Sequence, residues 1–370
     1  MILIKVLKYW TRGDEPPNFP AITINSISSN LMLNVSSSSG IVEKCLFAFT
    51  MILLNLKNIV SLHSISLETV FNANVHTILY FLGRVCIFSL FYLKYTRTFV
   101  KKVEELQNEL KIEFDYETRK YFWTRKVIYY SFNVGSKICL LINTMGNAYH
   151  KWPYSDLERR DEVDYWIMVI RVLIIYPFFT CQDCILYDLA ITARAAIEYF
   201  ETQSKRIYKE SLKDEKALNF QAIHDLRLKY LQTHRLVNKI NEFMSPCLLV
   251  SLIIYVNHFI NAVYQTLFVQ QSRSEQMYRL SSSVGAFTLT ITFVHLAAQV
   301  YQQSQQLLMT VYRLSLKTDH LKVLNEISLF VNCNEIGFSL GGICMITSST
   351  ITTTLSILVT LIIAIPSFAN

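Results

Sequence analysis

Charge is scarce in this sequence. Only 17% of its 370 residues are Asp, Glu, Lys or Arg, while 52% are hydrophobic and the mean hydropathy is +0.28. A soluble chain carries about a quarter charged residues, so this shortage excludes an ordinary cytosolic domain and favours a chain that crosses a membrane several times. Phosphate-cradling loops are also missing, since neither G-x-x-x-x-G-K-[ST] nor G-x-G-x-x-G occurs. No histidine spacing suits a membrane di-iron enzyme, and His224 and His234 lie too far apart to form one ligand turn. The single C-x-x-C, Cys181 and Cys184, has no second pair or histidine cluster to complete a zinc site. These absences argue against an enzyme and leave no catalytic residue, metal or cofactor to expect. The formal charge of +7 is expected to sit in cytoplasmic loops. It gives no nucleic-acid partner, because no arginine-rich or zinc-knuckle signature accompanies it. At the amino end, Lys5 and Lys8 interrupt the apolar run, so no cleavable leader is expected.

What the sequence has is long apolar runs. A bilayer needs roughly 20 such residues per helix, and seven runs qualify: about 41–62, 70–93, 126–148, 164–190, 242–270, 283–309 and 338–366. With the amino terminus in the cytoplasm, that side holds 26 Lys and Arg, counting Lys44 and Lys126 at the cytoplasmic ends of their spans, against 5 outside. That asymmetry sets the N-terminus inside and the C-terminus outside. The expected fold is all-α, a seven-transmembrane helical bundle of inverted topology, multi-pass in the plasma membrane. Residues 1–40, with Pro, Ser and Asn, are expected to be a mobile cytoplasmic segment, and 367–370 a short extracellular tail. The sequon Asn34-Val35-Ser36 would then stay unmodified.

Two stretches, 94–126 and 191–241, contain no Gly or Pro. Val103, Leu106, Leu110 and Phe114 recur at helical spacing in the first, and Ile223, Leu226, Tyr230, Val237 and Ile240 in the second. Both read as cytoplasmic helical extensions of the spans. Their apolar stripes must be buried somewhere, either within the chain or against other copies of it. The outer loops are short, so a ligand must sit between helices. The polar and aromatic residues expected in the outer halves are His76, Tyr80, Asn143, Trp166, Arg171, Asn257, Asn261, Tyr264 and Gln265. Asn257, Asn261 and Tyr264 share one helix face. Such a face suits a hydroxyl-rich ligand, and equally suits ordinary hydrogen bonds between helices.

The last run is the most unusual. In "SSTITTTLSILVT" (348–360), Ser349, Thr353, Ser356 and Thr360 are spaced 4, 3 and 4, which places them on one face. Backward the stripe reaches Gly342; a second row, Thr347, Thr350 and Thr354, lies beside it. Three explanations stand: close helix packing, back-bonding of hydroxyls to carbonyls one turn earlier, or a water-filled path. In the last case selection would rest on pore width and hydroxyl oxygens, with Leu361, or the Ile357/Leu361 level, as an apolar constriction.

Two stretches, "RLKYLQTHRLVNKINEFMSPCLLV" (227–250) and "NEIGFSLGGICMITSSTITTTLSILVTLI" (334–362), carry a family resemblance. The chain resembles the insect gustatory receptors and their gustatory-receptor-like relatives. That family's last helix ends in Thr-Tyr, five hydrophobic residues and Gln-Phe. Here Thr353 keeps the first Thr, whereas Thr354, Thr360 and Leu361 stand at the Tyr, Gln and Phe positions. The resemblance implies a gustatory/odorant receptor-like fold and a chemosensory receptor for a small-molecule tastant. It implies a homotetramer, or a heteromer with related subunits, gated by ligand and conducting cations without strong selection. The last helix would line the pore, the cytoplasmic helices would join the subunits, and membrane lipid would surround them. A non-conducting receptor with a cytoplasmic partner, or a light- or peroxide-sensing relative, remains the alternative.

Overall fold

The computed structural model describes residues 21–24, 27–36, 40–42, 44–45, 47–49, 52, 75–111, 115–151, 176–213, 218–268, 273–332 and 335–369. Most of the expected first span, and residues 152–175 around the start of the expected fourth, lie outside the described residues. The described chain runs through helices α1 (Ile27–Leu33), α2 (Val75–Lys94), α3 (Arg97–Leu110), α4 (Tyr116–Lys151), α5 (Tyr176–Ser211), α6 (Phe220–Phe268), α7 (Arg273–Ser315) and α8 (Leu321–Val331). A hairpin of β1 (Ser339–Leu340) and β2 (Cys344–Met345) then leads into the last helix, α9 (Ser348–Ala369).

Helix α6 is the mast. Its 49 residues rise about 74 Å at roughly 1.5 Å per residue, more than twice the hydrocarbon thickness of about 30 Å. Helices α2, α3, α5, α7, α8 and α9 all pack on it. The approach of α2 is close enough to need a glycine: a Cβ on Gly83 would lie 2.4 Å from Ile254 Cγ1. The cause of the long helices is plain in the sequence. Apolar segments continue into amphipathic ones, and within α6 only Pro246 interrupts the ladder of backbone hydrogen bonds.

Two stretches depart from the expected continuity. Residues 94–126 are not one extension of the second span. The chain breaks at Tyr95 and Thr96, where Thr96 is extended and its Oγ1 accepts from Phe99 N at 3.2 Å, capping a new helix. Tyr95 is fully buried, its hydroxyl 2.7 Å from Ser29 Oγ. Helix α3 stops at Lys111, which adopts a left-handed conformation at φ 55°, and α4 starts just after Asp115, whose carboxylate accepts from Thr118 N at 2.9 Å. Phe114 lies outside the described residues. Likewise 191–241 is interrupted after Ser211, and α6 begins behind Asn219, whose side chain accepts from Ala222 N at 2.8 Å. Each new helix is started by a Thr, Asp or Asn cap, which is why a lack of Gly and Pro read as continuity.

The apolar stripes find their partners inside the chain. Val103, Leu106, Leu110, Ile223, Leu226, Tyr230, Val237 and Ile240 are all buried. Tyr230 meets Phe330 of α8 at 5.0 Å between centroids, and both meet Phe200 of α5 edge-on. The stripes therefore do not themselves require another copy.

At the same end Glu326 of α8, 6% exposed, takes Arg227 Nε at 2.6 Å and His224 Nδ1 at 3.0 Å, both from α6. Burial would raise its carboxyl, but the hydrogen bonds from Arg227 and His224 outweigh burial and hold it below the ordinary range. A carboxyl lowered on folding contributes stability above its unfolded pKa and loses it as pH falls through the folded one. The seat of α8 is thus expected to hold at neutral pH and to loosen only in acid, below about 4.3. Glu326→Gln should loosen it at neutral pH by about 1–3 kcal/mol, measured as faster amide exchange across 321–331 with α4 unaffected.

Candidate pore helix and its anchorage

A proline sets the geometry of this region. Pro246 lies inside α6 and has no N–H, so the carbonyl one turn earlier, Glu242 O, loses its intrahelical donor. Lys94 at the end of α2 supplies one, its Nζ 3.1 Å from that oxygen. Phe243 on the same turn packs against Phe91, Tyr95 and Phe99 at 5.0–5.5 Å, fixing the α2–α3 bend against the mast.

The other side of the same turn holds the hairpin. Ser245 Oγ accepts from Gly342 N and from Ser339 Oγ, both at 2.9 Å, while Ser245 O accepts from Gly341 N at 3.2 Å. Asn241, one turn earlier, accepts from Ser339 N at 3.0 Å and donates to Ser339 Oγ at 3.1 Å. Gly341 and Gly342 have φ of 63° and 77°, a backbone region that side chains disfavour, and a Cβ on Gly341 would meet Leu249 at 2.5 Å. The last helix accordingly starts at Ser348, not near 338, and Gly342 is a turn residue outside the hydroxyl stripe. The apolar run read from the sequence continues through the hairpin, which hides the start of the helix.

Helix α9 rests on α6 and α7 through one side only. Ile351 packs against the core, and Thr350, Thr354 and Leu355 are half-buried. Ser349, Thr353, Ser356 and Thr360 are exposed, on the face turned away from the chain's own bundle. Thr352, Thr353, Ser356, Ile357 and Thr360 line an open groove of about 390 Å³. Leu361 lies on the same helix, but its side chain is outside the described residues.

The hydroxyls have two uses. Thr347 N donates to Thr350 Oγ1 at 3.0 Å, and Thr347 Oγ1 meets Ser349 Oγ at 2.8 Å, so the first turn is held by its own side chains. Thr352, Thr354 and Thr360 donate to Ser349 O, Thr350 O and Ser356 O at 2.7–2.9 Å. Back-bonding of the kind expected is thus present. Close packing within one chain does not explain the stripe, because its members face outward.

The ligand candidates are less well placed. Asn257 and Asn261 are half-buried on α6. Tyr264 and Gln265 follow on α6, His76 and Tyr80 lie on α2 and Asn143 on α4, all with side chains outside the described residues. Trp166 and Arg171 lie outside the described residues altogether.

Sequence reasoning missed the buried charges between α4 and α5. Lys126 Nζ is 2.9 Å from Asp188, which also accepts from Tyr130 OH at 2.6 Å, and Lys137 Nζ is 3.1 Å from Asp183. Asp188 is wholly buried and Lys126 8% exposed. Two acids inside an apolar run, matched by two lysines in another, were the available signal, since a membrane-buried charge needs a partner. The string Gly337-Phe338-Ser339-Leu340-Gly341 was also overlooked. It matches the G-x-S-x-G of hydrolase nucleophile elbows, but Ser339 sits in the short hairpin with its hydroxyl bonded to Asn241 and Ser245. That arrangement presents no nucleophile.

A family model described as 7tm chemosensory receptor matches residues 41–365. No curated protein matches the chain. Among solved structures, the insect olfactory receptor OR5 from Machilis hrabei is similar with a TM-score of 0.63 at 11% identity, over 91% of this chain and 96% of that one. The same receptor in complex with eugenol gives 0.69 at 10% identity, over 92% and 97%. At these identities the likeness shows the fold, a seven-transmembrane helical one.

The geometry predicts that two serine and threonine changes differ sharply. Ser245→Ala should release the hairpin at a cost of about 1–3 kcal/mol, seen as faster exchange at 339–345. Thr360→Val should leave stability within about 0.5 kcal/mol, because its exposed hydroxyl bonds only its own helix.

Proposed function

The chain belongs to the 7tm chemosensory receptor family, a family of membrane receptors rather than enzymes, and on that footing we propose that it is a taste receptor that is itself a ligand-gated, nonselective cation channel. One observation carries this reading: the hydroxyl face of α9 is turned away from its own bundle. A helix surrounded only by lipid gains nothing from outward hydroxyls. Placed at an axis shared by several copies, the same face would offer water and ions Ser349, Thr353, Ser356 and Thr360, with Ile357 and Leu361 forming an apolar constriction. The stripe has no charge, so selection would rest on pore width and hydroxyl oxygens.

Assembly with other subunits, as the homotetramer or heteromer with related subunits that the resemblance implies, fits the same reading. The buried stripes do not supply the joint, but Met309, Tyr312, Leu316, Leu321 and Leu329 expose apolar surface at the α7–α8 end and suit contacts between subunits. The lysine and arginine asymmetry supports a cytoplasmic amino terminus in the plasma membrane. The complex of a similarly folded receptor with eugenol supports a small organic ligand here. Asn257, Asn261, Tyr264 and Gln265, with His76, Tyr80, Asn143, Trp166 and Arg171, are the residues proposed to meet it.

The test is electrical. Expressed alone under a panel of small organic compounds and sugars, the chain should pass ligand-evoked cation current. Ser356→Arg at the axis should cut cation permeability at least ten-fold while surface expression stays normal. Surface-expressed protein that binds a ligand, signals through a cytoplasmic partner and passes no current would overturn the channel reading.

A further inference from the structure

A groove of about 500 Å³ opens where α2, α3 and α6 meet, lined by Lys94, Thr96, Thr98, Lys101, Lys102 and Lys239 among others. Its charge is only partly balanced. Glu105 bonds Lys102 at 2.9 Å and Glu242 bonds Lys239 at 2.6 Å. Lys94 is held by a neutral backbone carbonyl, and Lys101 makes no ion pair among the described residues. The amino end of the 14-residue helix α3 lies here as well; Phe99 N is taken by Thr96 Oγ1, and Thr96 and Thr98 border the same space. Backbone donors at a helix start, hydroxyls and clustered lysines are together the chemistry of phosphate binding.

The height of the groove identifies the source of the phosphate. Helix α2 is apolar from Val85 to Leu93 apart from Ser89 and ends at Lys94, while the apolar run of α6 begins at Phe243, one residue after Glu242. Both helices thus leave the hydrocarbon layer at this level. Leu93, 62% exposed, stands next to Lys94 as wall for an acyl chain, and Phe99 and Phe243 line the groove floor. We propose that this groove binds the multiply phosphorylated headgroup of an inositol lipid in the leaflet it faces. That leaflet is the cytoplasmic one if the orientation proposed above holds; the site does not depend on channel activity. The lipid would lie against Lys94, and so against the Pro246 turn that carries the α9 hairpin.

The experiment uses the full chain in phosphatidylcholine nanodiscs containing phosphatidylinositol bisphosphate, or phosphatidylserine at matched charge. Lipid retention is read by native mass spectrometry. The inositol lipid should be retained over phosphatidylserine, and Lys94→Gln and Lys101→Gln should each weaken retention about five-fold. Lys101→Arg should retain it, and Lys205→Gln with Lys209→Gln, in a separate groove on α5 that shares no residue with this one, should change nothing. Three results would overturn the proposal. The first is equal retention of both lipids. The second is retention unchanged in the Lys94→Gln/Lys101→Gln double variant. The third is soluble inositol trisphosphate bound as tightly as the lipid, which would mark a free-phosphate site.

Discussion

Removing one N–H from the middle of a long helix has consequences on both of its sides. At Pro246 the mast α6 cannot complete its own ladder, and the carbonyl of Glu242 is left to a donor from elsewhere. Lys94 fills that role and thereby ties the end of α2 to α6. The residue before the proline, Ser245, turns its hydroxyl and its carbonyl to the hairpin that precedes α9. One turn of helix therefore positions α2 on one side and the candidate pore helix on the other. A movement of either can reach the other through that single turn.

Around that turn, packing is largely aromatic and apolar, with polar exceptions that are paired. Phe91, Tyr95, Phe99 and Phe243 close the bend between α2 and α3. The lysine–aspartate pairs between α4 and α5 follow the rule that a charge away from water must meet its counter-charge. Helix α9 differs in having no such enclosure. It holds on by one side, through Ile351, Thr350, Thr354 and Leu355, and leaves its hydroxyl face open. An element seated this lightly within its own chain is suited to be completed by other copies.

Much of this architecture is legible in the sequence because membrane solvation is a coarse filter. Most of the described parts of the long apolar runs are helical, the hairpin at 339–345 excepted, and the hydroxyl stripe from Ser349 to Thr360 shares a face as its spacing requires. What escaped was local chemistry. Thr96, Asp115 and Asn219 begin helices by side-chain capping, which leaves no trace in hydropathy. The hairpin before Ser348 was absorbed into an apolar run because its strands are themselves apolar. Asp183 and Asp188 were passed over because their lysines lie more than forty residues away in sequence, and only the fold brings them together. Ligand residues were read from type and depth alone, and most lie where side chains are not described.

The central claim is that the outward face of α9 meets water at an axis shared by copies of the chain. The most direct measurement introduces single cysteines into a background whose exposed native cysteines are serine, and times their reaction with a membrane-impermeant thiol reagent. Cysteines at Thr353, Ser356 and Thr360 are predicted to react in the presence of an activating ligand, while those at Ile351 and Leu355 stay protected. Protection of all three hydroxyl-face positions, with and without ligand, would place that face in lipid or protein and contradict the account.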